Sequence, residues 1–94
     1  MLKTLEDLIA TIRQRKSSSD ESSYTAKLLK DKSLSVEKVK EEIGELVEAV
    51  ENNSNKVHEA ADVLYHLLVY LEANEIKIED VMQELKKRKK FEKT

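Results

Sequence analysis

No proline interrupts this chain and its only glycine is Gly44, so no stretch of it is barred from the α-helix. Apolar residues recurring every three to four positions turn that permission into a prediction. Leu5, Leu8, Ile9 and Ile12 predict a first helix over about residues 4–15, with Thr4 and Asp7 arranged as a capping pair. Ser17 to Ser23 is polar and aperiodic, which predicts a mobile loop, and Tyr24 to Leu29 predicts a short helix. Ser35 is the expected cap of a second long helix whose buried stripe is Val39, Ile43, Leu46, Val47 and Val50. Asn52-Asn53-Ser54 breaks the chain and offers caps for a third helix from about Asn55 to Ala73, which Asn74 closes in a left-handed conformation. A fourth main helix is expected from Ile78 to Lys90 on Val81, Met82 and Leu85, ending in a basic turn. Short connections make long helices antiparallel neighbours. The expectation is an all-α fold, a helical bundle of four to five helices with a central antiparallel hairpin.

With 94 residues the chain suits one domain, residues 1–94, that buries only about 60 to 65% of its unfolded surface, so self-association is expected. Lys and Arg total 17 against 19 Asp and Glu, with both signs interspersed, which argues against a nucleic-acid binder. Cysteine is absent, so disulfides and thiolate metal sites are excluded and a reducing cytoplasm fits. The longest apolar run, Val63 to Leu71, is interrupted by His66 and falls short of the roughly 20 residues that span a bilayer. Glu6 and Asp7 stand where a signal peptide needs apolar residues. The expected location is cytoplasmic, away from membranes.

Two acidic motifs stand out: Glu41-Glu42-Ile43-Gly44-Glu45 and Glu59-Ala60-Ala61-Asp62. Each places carboxylates three residues apart, hence on one helical face, where like charges repel. A hard divalent cation such as Mg²⁺ offsets that repulsion and can bridge to substrate phosphates. On a helical wheel Glu42 lies at the rim of the apolar stripe with Glu45 beside it, while Glu41 points nearly opposite. Glu59, Asp62 and His66 form a narrow polar stripe on an otherwise apolar helix, whose acids then need partners or a cation. Antiparallel packing about the Asn52 to Ser54 turn brings the two motifs to similar heights. The plainer alternative is that Glu41, Glu42, Glu45, Glu48 and Glu51 are a solvated face paired with Lys38 and Lys40. His66 reads as a hydrogen-bonded residue behind the ligands, since Mg²⁺ prefers oxygen. Gly44 reflects close packing or nothing.

The pattern E-E-x-x-E followed by E-x-x-D resembles the all-α nucleotide pyrophosphatase superfamily, which includes MazG-type and dimeric dUTPase enzymes. Ser23-Tyr24-Thr25-Ala26-Lys27-Leu28-Leu29, Glu59 to Val69, and Asp80 to Arg88 sharpen the likeness. In that order they resemble the phosphoribosyl-ATP pyrophosphatase family, from Leu5 to Arg88. The resemblance implies a MazG-like fold and hydrolysis of phosphoribosyl-ATP to phosphoribosyl-AMP and pyrophosphate in histidine biosynthesis. It also implies Mg²⁺ as cofactor and a homodimer or larger homo-oligomer. The family's metal carboxylates map onto Glu42, Glu45, Glu59 and Asp62, with Glu41 accessory; a carboxylate not fully committed to metal, Glu41 or Glu45, is then expected to orient or deprotonate the attacking water. Ser23, Tyr24, Thr25 and Lys27 map as substrate-binding residues. Where the family usually reads Lys-Val-Gly-Glu-Glu-Ala, this chain has Lys38-Val39-Lys40-Glu41-Glu42-Ile43. Two rivals stand beside this reading: a house-cleaning nucleoside triphosphate pyrophosphatase with the same metal site, and a non-enzymatic helical dimerisation module.

Overall fold

Helical permission is used almost throughout. The computed structural model describes residues 2–17 and 22–88 as five helices: α1 (Leu2–Lys16), α2 (Tyr24–Lys30), α3 (Lys32–Asn52), α4 (Lys56–Ala73) and α5 (Ile78–Lys87). The strongest packing is between α3 and α4, the expected antiparallel hairpin. Helices α1 and α2 both lie against α4, and α5 touches α4 at the far end. None of the described helices is long and apolar enough to cross a membrane.

The start of α1 differs from expectation. It is already helical at Leu2, so Thr4 sits inside the helix and caps nothing; Asp7 instead accepts from Lys3 Nζ at 3.3 Å, an i,i+4 pair that requires this turn to be formed. Most of the expected polar loop, residues 18–21, lies outside the described residues.

Helix α2 has seven residues, too few for an isolated helix to persist, and is held by burial of Ala26, Leu28 and Leu29. Ser23 Oγ accepts from Ala26 N–H at 3.2 Å to open it. Asp31 joins it to α3: its N–H donates to Lys27 O at 3.0 Å, and its Oδ1 accepts from Leu34 N–H at 3.0 Å. Ser35 is therefore not the cap. It lies in the first turns of α3 and is buried, because Asp31 starts the helix as soon as α2 ends.

Asn53 closes α3 at φ 51°, with Asn53 N–H on Val50 O and Ser54 N–H on Ala49 O, a Schellman arrangement that asparagine's tolerance of left-handed backbone permits. Asn55 precedes α4, also at φ 51°, without a side-chain cap bond. At the other end of α4 the expectation is displaced by one residue. Asn74 keeps φ −104°, and Glu75 takes the positive φ of 59°. Ile76 N–H then reaches Leu71 O at 2.9 Å, while Asn74 Nδ2 donates to Tyr70 O at 2.9 Å. Helix α5 ends at Lys87; of the expected extension to Lys90, residues 89 and 90 lie outside the described residues.

The core gathers Ile12, Leu28, Leu29, Leu68, Val69 and Ala73, where α1, α2 and α4 meet. Because α1 and α2 cover only one side of the hairpin, the predicted stripe of α3 is split. Val39 is buried, but Ile43, Val47 and Val50 are about half exposed at 47%, 53% and 58%. Val57, Leu64 and Leu67 of α4 are exposed too, so α4 is less enclosed than its apolar circumference suggested. Gly44 faces open space, so close packing is not its reason. Helix α5 buries no residue; Glu79 near its start receives both terminal guanidinium nitrogens of Arg13, one at 2.8 Å.

Asp31→Ala removes the bond that opens α3 and should cost about 1 kcal/mol in urea unfolding. Leu28→Ala, at a site with no exposure, should cost about 3 kcal/mol. Equal, negligible losses would contradict this arrangement.

Candidate active site

The inner face of the hairpin carries the acids. On α3, Glu41, Glu42 and Glu45 each present an oxygen within 4.8 Å of the others; on α4, a ring nitrogen of His58 and an oxygen each of Glu59 and Asp62 lie equally close together. The two groups act on each other across the hairpin. Burial pushes the Glu42 carboxyl above the usual carboxylate range, helped by a hydrogen bond and negative charge from Glu45 and by Asp62, while His66 pulls the other way. Burial likewise raises Glu59, with the charges of Glu45 and Asp62 adding and His58 opposing. Glu42, Glu45, Glu59 and Asp62 are thus one electrostatic cluster. Within it, Glu42 Oε2 and Glu59 Oε2 are buried without a hydrogen-bond partner. A buried acceptor left unpaired is costly, and oxygen donors converging this way suit a hard cation. The residues present therefore fit a divalent metal ion.

Glu41 departs from the helical wheel, which turned it away. Its i,i+4 relation to Glu45 and a flexible side chain bring its carboxylate to its neighbours, and Lys38 Nζ stands 3.5 Å from it. The charge and hydrogen bond of Glu41 hold the Lys38 ammonium above the usual lysine range. In sequence, Lys38 reads only as one of two lysines near a solvated face; its adjacency to Tyr24 comes from the fold. His58 was not singled out either. Its Nε2 lies 3.4 Å from Asp62 Oδ2, and the signal for it was the i,i+4 spacing.

Helix α2 places the other residues singled out in the sequence. Tyr24 OH and His66 Nε2 are 3.1 Å apart, and Thr25 Oγ1 is bonded to Tyr65 OH. The Tyr24 phenol is pushed up by burial, opposed by Lys38 and reinforced by Tyr65, Glu42 and Glu41, so it stands at the edge of the carboxylate cluster. Ser23 Oγ is engaged as the α2 cap. Lys27 instead lines an open concavity with Lys30, Asp31 and Lys32, at the corner between α2 and α3. His66 Nδ1 is 2.8 Å from Asp62 O, which ties this buried imidazole to the backbone of a candidate ligand.

Fold and site together define an all-α protein with a cation-fitting carboxylate cluster across an antiparallel helix pair, bordered by the Tyr24 hydroxyl and the Lys38 ammonium. Comparison with known proteins narrows this. The family described as phosphoribosyl-ATP pyrophosphohydrolase matches residues 5–89. The chain is 46% identical over 90 residues to the phosphoribosyl-ATP pyrophosphatase of Ruegeria pomeroyi, covering 89% of this chain and 83% of that protein. It is 40% identical over 90 residues to the protein of that name from Haloarcula marismortui, covering 90% and 92%. A match of 40% identity over 92 residues to the histidine biosynthesis bifunctional protein HisIE of Pyrococcus furiosus covers 95% of this chain and 43% of that longer protein. The chain belongs to the phosphoribosyl-ATP pyrophosphohydrolase family.

The raised carboxyls predict a pH dependence of the metal-free protein. Glu42 and Glu59 bind protons more readily folded than unfolded, so their contribution to stability falls as pH rises from the ordinary value near 4.5 through their raised values. Glu79 acts in another window: the Arg13 hydrogen bond lowers it from 4.5 to about 2, so its contribution is present above 4.5 and lost as pH falls toward 2. In chelator-treated protein, the melting temperature of the wild type relative to a Glu42→Gln/Glu59→Gln double variant should drop as pH rises above the ordinary carboxylate value near 4.5. A rising or flat difference would contradict the raised values.

Proposed function

We propose that this protein hydrolyses phosphoribosyl-ATP to phosphoribosyl-AMP and pyrophosphate, in histidine biosynthesis, with Mg²⁺ held by Glu42, Glu45, Glu59 and Asp62. The observation that carries the metal site is the pair of buried, unpartnered oxygens of Glu42 and Glu59, one from each side of the hairpin. Family membership supports the substrate. When bound, the ion supplies charge neutralisation and Lewis acidity for cleavage of a phosphoanhydride.

The chain's own residues do the rest. Glu41, exposed and outside the cross-hairpin quartet, is the carboxylate left to orient the attacking water, with Lys38 holding its side chain. Lys27, with Lys30 and Lys32 at the same corner, offers cationic donors to a terminal phosphate. Ser23 keeps its hydroxyl proton for the substrate, because its oxygen is an acceptor in the α2 cap. Tyr24 and Thr25 border the same face through His66 and Tyr65.

The protein acts as a cytoplasmic homodimer in this reading. Ile43, Val47 and Val50 on α3 and Val57, Leu64 and Leu67 on α4 leave an apolar surface uncovered by α1 and α2, which a second copy of the hairpin would bury.

Glu59→Gln and Asp62→Asn should each lower turnover by about a thousandfold while helicity and oligomeric state are kept; unchanged turnover would overturn the role given to these carboxylates. Side-by-side assay of phosphoribosyl-ATP and a nucleoside triphosphate panel including dUTP tests the substrate, and no activity on phosphoribosyl-ATP would overturn it. Val47→Glu combined with Leu64→Glu should shift sedimentation from dimer to monomer; a dimer unaffected by both charges would place the interface elsewhere.

A further inference from the structure

The imidazole of His66 bridges two parts of the site that the sequence keeps far apart. Its Nδ1 lies 2.8 Å from the Asp62 carbonyl oxygen, which can only accept, so Nδ1 carries the proton. In the neutral ring Nε2 is then an acceptor, and its partner at 3.1 Å is the Tyr24 hydroxyl. Tyr24 therefore donates its one proton to His66. Its oxygen is left with acceptor capacity alone, which excludes a donated bond to phosphate, itself an acceptor.

From this geometry we infer that Tyr24 recognises a ribose hydroxyl of the substrate, accepting its proton, and that His66 is a positioning residue acting through Tyr24. This rests on the reading of the substrate given above. Tyr24 is 46% exposed, at the rim of the carboxylate cluster and outside the quartet, so its acceptor oxygen is open to a hydroxyl donor from solvent or substrate. Its ring is held as well as its hydroxyl: Tyr65 stacks at 6.4 Å and 20°, and His66 meets it edge-on at 5.9 Å. Elevation of the phenol above its ordinary range keeps the proton that His66 accepts. The second bond from α2 to α4, Thr25 to Tyr65, seats the same turn. Through His66, the backbone of Asp62 and the hydroxyl of Tyr24 are kept in fixed relation.

A kinetic cycle tests this. Tyr24→Phe keeps the ring and should raise KM for phosphoribosyl-ATP about tenfold, the loss of roughly one hydrogen bond, with kcat within about twofold. His66→Asn keeps a donor near Asp62 O but no acceptor for Tyr24, and should raise KM similarly; His66→Gln, which places an oxygen near Nε2, should restore most of the loss. The Tyr24→Phe/His66→Asn double variant should be no worse than either single one. Additive losses, no rescue by glutamine, or a fall in kcat at unchanged KM would overturn the inference. A ribose-deoxy analogue of phosphoribosyl-ATP should raise KM for the wild type but not further for Tyr24→Phe; an equal further rise with every deoxy analogue would overturn the hydroxyl assignment. Nitrogen-15 NMR of the substrate-free protein at pH 7.5 reads the hydrogen bond without turnover. It should show His66 protonated at Nδ1, with the Nε2 resonance moving in Tyr24→Phe, and an Nε2-protonated ring would overturn the arrangement. Lack of wild-type turnover would instead count against the substrate reading, leaving the NMR result to judge the positioning.

Discussion

Carboxylates meeting across the α3–α4 hairpin are the constraint on which the rest of the structure depends. Packing Glu42 and Glu45 against Glu59 and Asp62 raises the affinity of two of these groups for protons and leaves two buried oxygens unpaired. Such an arrangement opposes folding in the absence of a positive partner. The fold tolerates it because stabilisation is concentrated elsewhere, in the cluster of Ile12, Leu28, Leu29, Leu68, Val69 and Ala73 where α1 and α2 cover α4. The buried core and the acidic cluster thus occupy different parts of one helix. Val69 and Leu68 anchor the middle of α4, while Glu59 and Asp62 nearer its start face the acids of α3.

Helix α2 connects these two regions. Leu28 and Leu29 enter the core, and the first turn of the helix carries Tyr24 to the edge of the carboxylate cluster. Asp31 closes α2 and opens α3 within a single residue, so the position of Tyr24 relative to Glu42 follows from one tight corner. The same economy leaves the hairpin's outer face bare. With α1, α2 and α5 all on other sides, Val47 and Leu64 have no covering partner within the described chain.

Local pattern made the helices legible, and with them the pairing of α3 with α4. Glu42 with Glu45, and Glu59 with Asp62, could be grouped because helical period depends on spacing alone. What period cannot say is which of two apolar faces is covered, and so Ile43, Val47 and Val50 read as buried although they are half exposed. Caps were legible in type but not in position. Asp31 and Ser35 are both capable residues, and Asn74 and Glu75 differ by one step; the neighbouring turn decides between them. Contacts between distant residues were out of reach. Tyr24 and His66 are 42 positions apart, and nothing in either segment announces that one hydroxyl serves the other.

The central claim is that the cross-hairpin carboxylates form a cation site, and calorimetric titration of Mg²⁺ into metal-free protein addresses it most directly. The account predicts saturable binding in the wild type that is lost in Glu59→Gln and in Glu42→Gln, although both variants remain folded. Binding of equal strength in the wild type and both variants, or no binding to the wild type with or without phosphoribosyl-AMP and pyrophosphate present, would contradict it.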